Sequence, residues 1–363
     1  MIIYIIVPLM IVIYGGFLFY KGITKRKKII FLCISFFTLW MIMGMRNIQV
    51  GNDTRAYYTY FLKWGSYQAQ IGGATQPIYY LYNRIIYRII QYGQGIIICN
   101  SLLEVIGIAI FIYYFSENVF LSTYLWITLY FFCESMNIAR QFLGLSFFLI
   151  AYVLLWKKNN IIFSTIFIIL AIGTHSLIAS LLPILLFKFI KLTKNKIYLI
   201  IVGGTVFTLF FDRILEILIK IFCTIFPYYR QYLGSGRFNV YNEGGSRNVL
   251  LVIFYLVFVG ISILLIKNDK VGEEKKRNLI ILLVPCIITI VIGLGAVNII
   301  SVQRIKVLYS TFFICFIPNV IACYDKKSRV ILNVVIMLIT LLPYSIQLIG
   351  NYGGVIPYSP FWR

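Results

Sequence analysis

Long apolar runs alternate with short polar segments along the whole chain. They fall at 2–20, 29–45, 96–115, 119–134, 141–156, 161–174, 176–190, 197–211, 248–266, 279–297, 306–323 and 330–349. Most approach the roughly 20 apolar residues that a helix needs to cross the hydrocarbon of a bilayer. The pattern predicts an all-α polytopic membrane protein with about twelve transmembrane helices, a single integral membrane domain over residues 1–363. The runs around Glu134 and His175 are short enough to form hairpins or broken helices. Two longer interruptions, 46–95 and 212–247, are predicted to be larger extracytoplasmic segments.

Composition agrees with the pattern. Hydrophobic residues make up 61% of the chain and charged residues 12%, far from the balance of a soluble domain. A soluble enzyme, a disulfide-stapled secreted scaffold and a disordered tail are all excluded. The excess of 33 Lys+Arg over 11 Asp+Glu would suggest nucleic acid in a soluble protein. Here the charges sit between apolar runs, where they act as topology signals and contacts to anionic lipid. A nucleic-acid partner is not expected. Seven cysteines without a C-x-x-C, and a single histidine, His175, leave no basis for a zinc site.

The first run lacks a basic region before it and is followed by Lys21, Lys25, Arg26, Lys27 and Lys28. A retained first helix with its amino end outside is therefore expected. Placing 21–28 inside also places 157–160, 188–196, 267–278 and 324–329 inside, and each is basic. The two faces then differ in the kind of cation. The inner face carries 16 Lys with only Arg26, Arg277 and Arg329. The outer face carries 11 Arg with only Lys63, Lys220 and Lys306. A guanidinium offers a fixed fork that matches phosphate, whereas an ammonium is an adaptable point charge. The outer arginines either bind a phosphate-bearing substrate or reach to lipid headgroups and carboxylates.

Segment 46–95 opens with Arg46, then Gly51-Asn52-Asp53-Thr54-Arg55 and Tyr57-Tyr58. It continues into an amphipathic stretch, 78–92. Ile78, Leu81, Tyr82, Ile85 and Ile89 mark one side, and Arg84, Arg88 and Gln91 recur at helical spacing on the other. This stretch is too polar to span and is expected to lie in the outer interface or to re-enter. Segment 212–247 holds Asp212, Glu216 and Lys220, a salt-bridging face, and a Tyr/Arg/Gly loop around Tyr228, Tyr229, Arg230 and Tyr232. Between two apolar runs lies Glu134-Ser135-Met136-Asn137-Ile138-Ala139-Arg140-Gln141. Glu134 and Arg140 either neutralise each other or serve a site. His175 is either a satisfied structural residue or a catalyst at the outer surface. Glu104, in mid-span, calls for neutralisation by a proton or by an arginine reaching in. The chain has no phosphate-binding G-x-x-x-x-G-K-[ST], no G-x-S-x-G and no D-x-D. ATP hydrolysis and metal-held nucleotide-sugar chemistry therefore find no support.

Arg46, Gly51-Asn52-Asp53-Thr54 and Tyr57-Tyr58, then Met136-Asn137-Ile138-Ala139-Arg140-Gln141, then Thr174-His175-Ser176, resemble the EpsG family in the same order. These are Wzy-like bacterial exopolysaccharide and O-antigen polymerases. A fainter echo runs through Gln303-Arg304, Tyr309 and Pro343-Tyr344. The chain departs from the family's pattern at Gln76-Pro77, where an acidic residue is common, and in the direct adjacency of His175 and Ser176.

The resemblance implies a glycosyltransferase in the bacterial plasma (inner) membrane. It would join undecaprenyl-diphosphate-linked oligosaccharide repeat units at the extracytoplasmic face and need no cofactor or metal. Membrane lipid, a chain-length regulator and a flippase of the same pathway are the further partners it implies. The expected catalytic residues are Asp53, Arg140 and His175. Arg46, Arg84, Arg88, Asn137, Gln141, Arg230 and Arg304 are the expected substrate contacts. A flippase or other transporter of the same lipid-linked sugar is the alternative. No repeat between the halves supports it. An O-antigen ligase is a third reading.

Overall fold

The computed structural model describes residues 1–66, 76–190, 245–295 and 300–363, with scattered helical positions between 196 and 227. Every regular element among these residues is a helix. Residues Met1–Ala179 and Lys326–Arg363 form one compact unit, and Ser180–Asp325 form a second.

The first unit contains α1 (Ile2–Phe19), α2 (Lys25–Gly44), α3 (Thr54–Gly65), α4 (Pro77–Ile89) and α5 (Gln94–Phe115). It continues with α6 (Val119–Thr128), α7 (Phe131–Asn137), α8 (Ala139–Trp156) and α9 (Ile161–Thr174). After a 3₁₀ turn at Ser176–Leu181, α10 (Leu182–Leu186) opens the second unit. The second unit holds α11 (Gly245–Lys267), α12 (Glu273–Gly295), α13 (Ile300–Ser310) and α14 (Phe313–Ile321), and α15 (Lys326–Ile349) returns to the first.

Eight helical stretches among the described residues are long and apolar enough to cross a membrane, or nine if the bent pair α6–α7 is one span. The fold class is as expected, and the described residues do not confirm the count of about twelve. The run at 119–134 is two helices bent by 53°. The runs at 161–174 and 176–190 form helices shorter than a span. Most of the run at 197–211 lies outside the described residues.

In the first unit α5 packs between α2 and α8, α9 lies along α8, and α6 sits against α1 and α15. Helix α8 is apolar nearly all round and is buried through Phe142, Leu145, Phe148, Leu149 and Tyr152, as a central helix must be. Helix α15 has the reverse pattern to a soluble helix. Val330, Val334, Leu338 and Leu342 are exposed, while Thr340, Tyr344 and Gln347 turn inward. That pattern suits hydrocarbon outside and hydrogen bonding inside.

Helix α4 packs through a row that the sequence reading did not single out. Leu81, Ile85 and Ile89 are exposed, and Tyr79, Asn83 and Ile86 are buried instead. The helix is amphipathic and shorter than a span, as expected. The row that packs is the aromatic and polar one, which leaves the aliphatic row to face outward.

The break between α6 and α7 falls at Tyr130, a non-glycine residue in the left-handed region at φ 75°. Its hydroxyl donates to the Tyr352 carbonyl at 2.8 Å, and its ring meets Tyr344 edge-on. These contacts offset a conformation that costs an L-residue about 1–2 kcal/mol. The bend carries α7 back so that Met136 and Asn137 reach the loop after α2.

The second unit is centred on α12, which packs on α11, α13 and α14. Tyr255 stacks on Phe313 with ring centres 3.9 Å apart. Lys275 donates to the Ala322 carbonyl at 2.6 Å.

Candidate functional site

One end of the first unit gathers the segments that the sequence singled out. The loop after α2 is held in place by the chain's own carboxyl end. Asn47 N–H donates to the Ser359 carbonyl at 2.8 Å, and Phe361 N–H donates to that of Met45 at 2.8 Å. Gly51 and Asn52 donate to the carbonyls of Gly354 and Gly353 at 2.9 and 3.0 Å. Gly51 has φ 93°, and a Cβ there would lie 2.6 Å from the Met136 carbonyl oxygen. Only glycine fits that position. Tyr4 Oη, near the amino end, donates to the Val355 carbonyl at 2.8 Å. Both termini thus share an end with loop 46–53, while the basic turns at 21–24 and 157–160 sit at the far ends of the same helices.

Arg46 does not face an opening. It is 1% exposed. Nη1 donates to the Met43 carbonyl and to Ser101 Oγ, and Nη2 donates to the Met136 carbonyl at 3.1 Å. Thr54 Oγ1 shares the Met136 carbonyl at 3.1 Å. The Gln94 amide closes the turn by donating to the carbonyls of Gly44 and Arg46 at 2.7 and 2.9 Å. Arg46 is therefore the internal tie between the loop and the end of α7. Beneath it, Glu104 on α5 is also 1% exposed. Neither its carboxylate oxygens nor Arg46 Nε has a hydrogen-bond partner among the described residues. The two side chains are electrostatic neighbours with no hydrogen bond between them.

Asp53 is half-buried and starts α3, and its carboxylate does not cap the helix. Its backbone N–H donates to Asn137 Oδ1 at 3.3 Å, which joins two of the expected site residues directly. Three residues past Asn137, at the start of α8, Arg140 lies over two rings. Its guanidinium carbon is 5.8 Å from the centre of Tyr57 and 5.6 Å from that of Tyr79. Tyr79 is fully buried against Trp64 and Leu143. Asn100 Nδ2 donates to its hydroxyl at 3.2 Å, and Asn83 Nδ2 donates to its carbonyl at 2.6 Å. Burial pushes the Tyr79 phenol above its ordinary range, against the pull of Asn100 and Arg140, so it stays neutral.

His175 ends α9 and is 7% exposed. Its Nδ1 accepts from Leu177 N–H at 3.3 Å. A neutral ring that accepts at Nδ1 carries its proton on Nε2. A Cβ on Gly144, one turn along α8 from Arg140, would lie 3.4 Å from His175 Cβ. The histidine therefore belongs to the same end of α8.

A model of the EpsG family matches residues 29–360. The chain belongs to the EpsG family. No curated protein and no solved structure matches it. EpsG membership makes this a polysaccharide polymerase-like, multi-pass membrane protein, glycosyltransferase-like in its chemistry. The match takes in the second unit and the tail that clasps loop 46–53, well beyond the segments whose motifs suggested it.

In this EpsG-family fold, Arg46, Asp53, Asn137, Arg140 and His175 come together at one end. Gln141 follows Arg140 but is buried within the helix packing. Arg84 is half-buried and lies over the Tyr80 ring at 5.5 Å, turned from the face that carries Tyr79. Arg88 is exposed in the last turn of α4. Arg304 is half-buried on α13 of the second unit, and Arg230 lies outside the described residues. Most of segment 212–247 lies outside them as well. No group of three His, Cys, Asp or Glu that could hold a metal occurs among the described residues. The sequence reading missed Tyr79, Asn83 and Asn100 and the tail at 353–361. Tyr57 was noticed only as part of a motif.

Proposed function

We propose that this protein joins oligosaccharide repeat units carried on undecaprenyl diphosphate, at the extracytoplasmic face of a bacterial plasma membrane. A hydroxyl oxygen of one repeat attacks the anomeric carbon of another. The bond from that carbon to the diphosphate oxygen breaks, and its electron pair leaves with the diphosphate. The donor carries its own leaving group, so the protein must orient two chains, take up one proton and stabilise one developing anion.

The observation that carries this reading is the convergence of Asp53, Asn137, Arg140 and His175 with Arg140 held over aromatic rings instead of being buried like Arg46. In this reading Arg140 meets the departing diphosphate. The Asp53 carboxylate is the base for the acceptor hydroxyl, because the Leu177 contact makes His175 Nε2 a donor. His175 then supports the leaving group.

The test is incubation of the purified protein with a synthetic lipid-diphosphate repeat unit. A ladder of products that fails with Asp53→Asn supports the reading. Movement of the intact donor across a vesicle membrane without a ladder favours a flippase instead. Transfer of one repeat to a foreign acceptor, without a ladder, favours a ligase.

A further inference from the structure

We propose that Tyr57 and Tyr79 form an aromatic seat that positions Arg140 and leaves its N–H groups for the diphosphate of the lipid-linked donor. This deepens the reading above and rests on it.

Arg46 and Arg140, two of the arginines expected at the site, meet opposite surroundings. The Arg46 guanidinium donates to Met43, Met136 and Ser101 and lies at 1% exposure. Those donors are committed to the fold. The Arg140 guanidinium rests over Tyr57 and Tyr79 at 5.8 and 5.6 Å. Its Nε is buried without a hydrogen-bond partner among the described residues. A ring face attracts a cation through its quadrupole but accepts no strong hydrogen bond. It fixes the guanidinium without neutralising it and without occupying its fork. A carboxylate in the same place would do both, and would compete with a diphosphate.

The seat is itself anchored. Tyr79 is fully buried, meets Trp64 edge-on at 6.0 Å and receives Asn100 Nδ2 on its hydroxyl. Tyr57 lies in the first turn of α3, three residues after Thr54, and is buried. The rings come from two helices of segment 46–95, so that segment serves to aim an arginine that begins α8. Tyr57 and Tyr79 act through Arg140 and are positioning residues.

The test uses the purified full-length protein and undecaprenyl diphosphate as the probe, with undecaprenol as the uncharged control. Tyr57→Phe and Tyr79→Phe keep a ring, and Tyr57→Leu and Tyr79→Leu remove it at similar bulk. The Phe variants should bind the diphosphate within about threefold of wild type, and each Leu variant should lose roughly tenfold, the scale of one partly desolvated cation–π contact. Undecaprenol binding should not change in any of them. Leu variants that bind diphosphate as wild type does, while Arg140→Ala does not, overturn the seat and leave the proposed reaction standing. Diphosphate binding unaffected by Arg140→Ala overturns the reading on which the seat rests. If Tyr79→Leu fails to fold, Tyr57→Leu decides the matter, since Tyr57 is the less deeply buried of the two, 7% exposed against 0%.

Discussion

Arg46 and Met136, ninety residues apart, meet where the Arg46 Nη2 group donates to the Met136 carbonyl at 3.1 Å. Because the same guanidinium also reaches Met43 and Ser101, one side chain joins the end of α2, the middle of α5 and the end of α7. A lysine has one nitrogen and cannot span three acceptors. Arg46→Lys and Arg46→Ala should therefore both lower abundance and thermal stability, by about 3–5 kcal/mol for the alanine. Donor affinity in the molecules that fold should stay near wild type. Thermal unfolding in detergent together with undecaprenyl diphosphate binding checks this. A normally stable Arg46→Ala with lost binding would return Arg46 to the substrate.

Glu104 should behave as the distant counter-charge of Arg46. Each is 1% exposed, and removing either leaves the other uncompensated in a low-dielectric interior. Glu104→Met and Arg46→Met should each destabilise the protein. The double variant should be less damaged than the two effects added, by about 1–3 kcal/mol. A double-variant cycle of melting temperatures measures this directly. Strict additivity would mean that the two charges do not act as a pair.

The carboxyl-terminal tail should be part of the site's architecture. Residues 45–52 make four backbone hydrogen bonds with residues 353–361, and Gly51 lies against Met136 in the left-handed region. Gly51→Ala combines that φ with a clash against a carbonyl and should cost about 1–3 kcal/mol. Deletion of residues after 350 should abolish polymer formation while the remaining helices still insert. Polymer at wild-type level from the deletion would show that the loop holds its shape alone.

The spanning helices were legible because hydrocarbon demands a long apolar run whatever the neighbours, as in α1, α5 and α15. The arrangement of the outer segments was not. Arg46 and Arg140 carry the same charge signature in sequence, and only packing separates the buried tie from the seated cation. The tail at 353–361 pairs through backbone groups, which leave no hydropathy signal. On α4 the aliphatic row was easier to see than the row that packs. Outside water, the rule that aliphatic residues turn inward loses its force, and Tyr79 and Asn83 win the interior through hydrogen bonds. The Tyr57 and Tyr79 seat had a signal in hindsight, an aromatic in the first turn of each of two short helices, α3 and α4. Ordinary interfacial tyrosines look the same.

The end that holds loop 46–53 should lie outside the cell. In a variant whose native cysteines are replaced, Asn52→Cys should react with a membrane-impermeant thiol reagent in intact cells. Gly272→Cys, in the basic turn before α12, should react only after permeabilisation. Both positions are exposed, so silence at either one reports the membrane and not burial. Labelling at 52 only after permeabilisation would place the Asp53 and Arg140 end on the cytoplasmic side and remove lipid-linked polymerisation outside the cell.

Arg140 should act through the shape of its guanidinium as well as its charge. It lies over Tyr57 and Tyr79, a seat that suits a flat, delocalised cation better than a compact, strongly hydrated ammonium. At a developing diphosphate anion the fork offers two parallel donors where lysine offers a point charge. Losing one such contact should cost roughly 2–4 kcal/mol, or about 10²–10³ in rate. Arg140→Lys should then be nearly as slow as Arg140→Ala, and both proteins should accumulate normally, in contrast to Arg46→Ala. Arg26→Lys on the opposite face should be silent, which separates a local demand for arginine from a general one. Wild-type polymer from Arg140→Lys would reduce the residue to a point charge. Loss of abundance in both Arg140 variants would make it a structural residue of the α7–α8 turn, and the phosphate contact would have to be sought on Arg84 or Arg88 of α4.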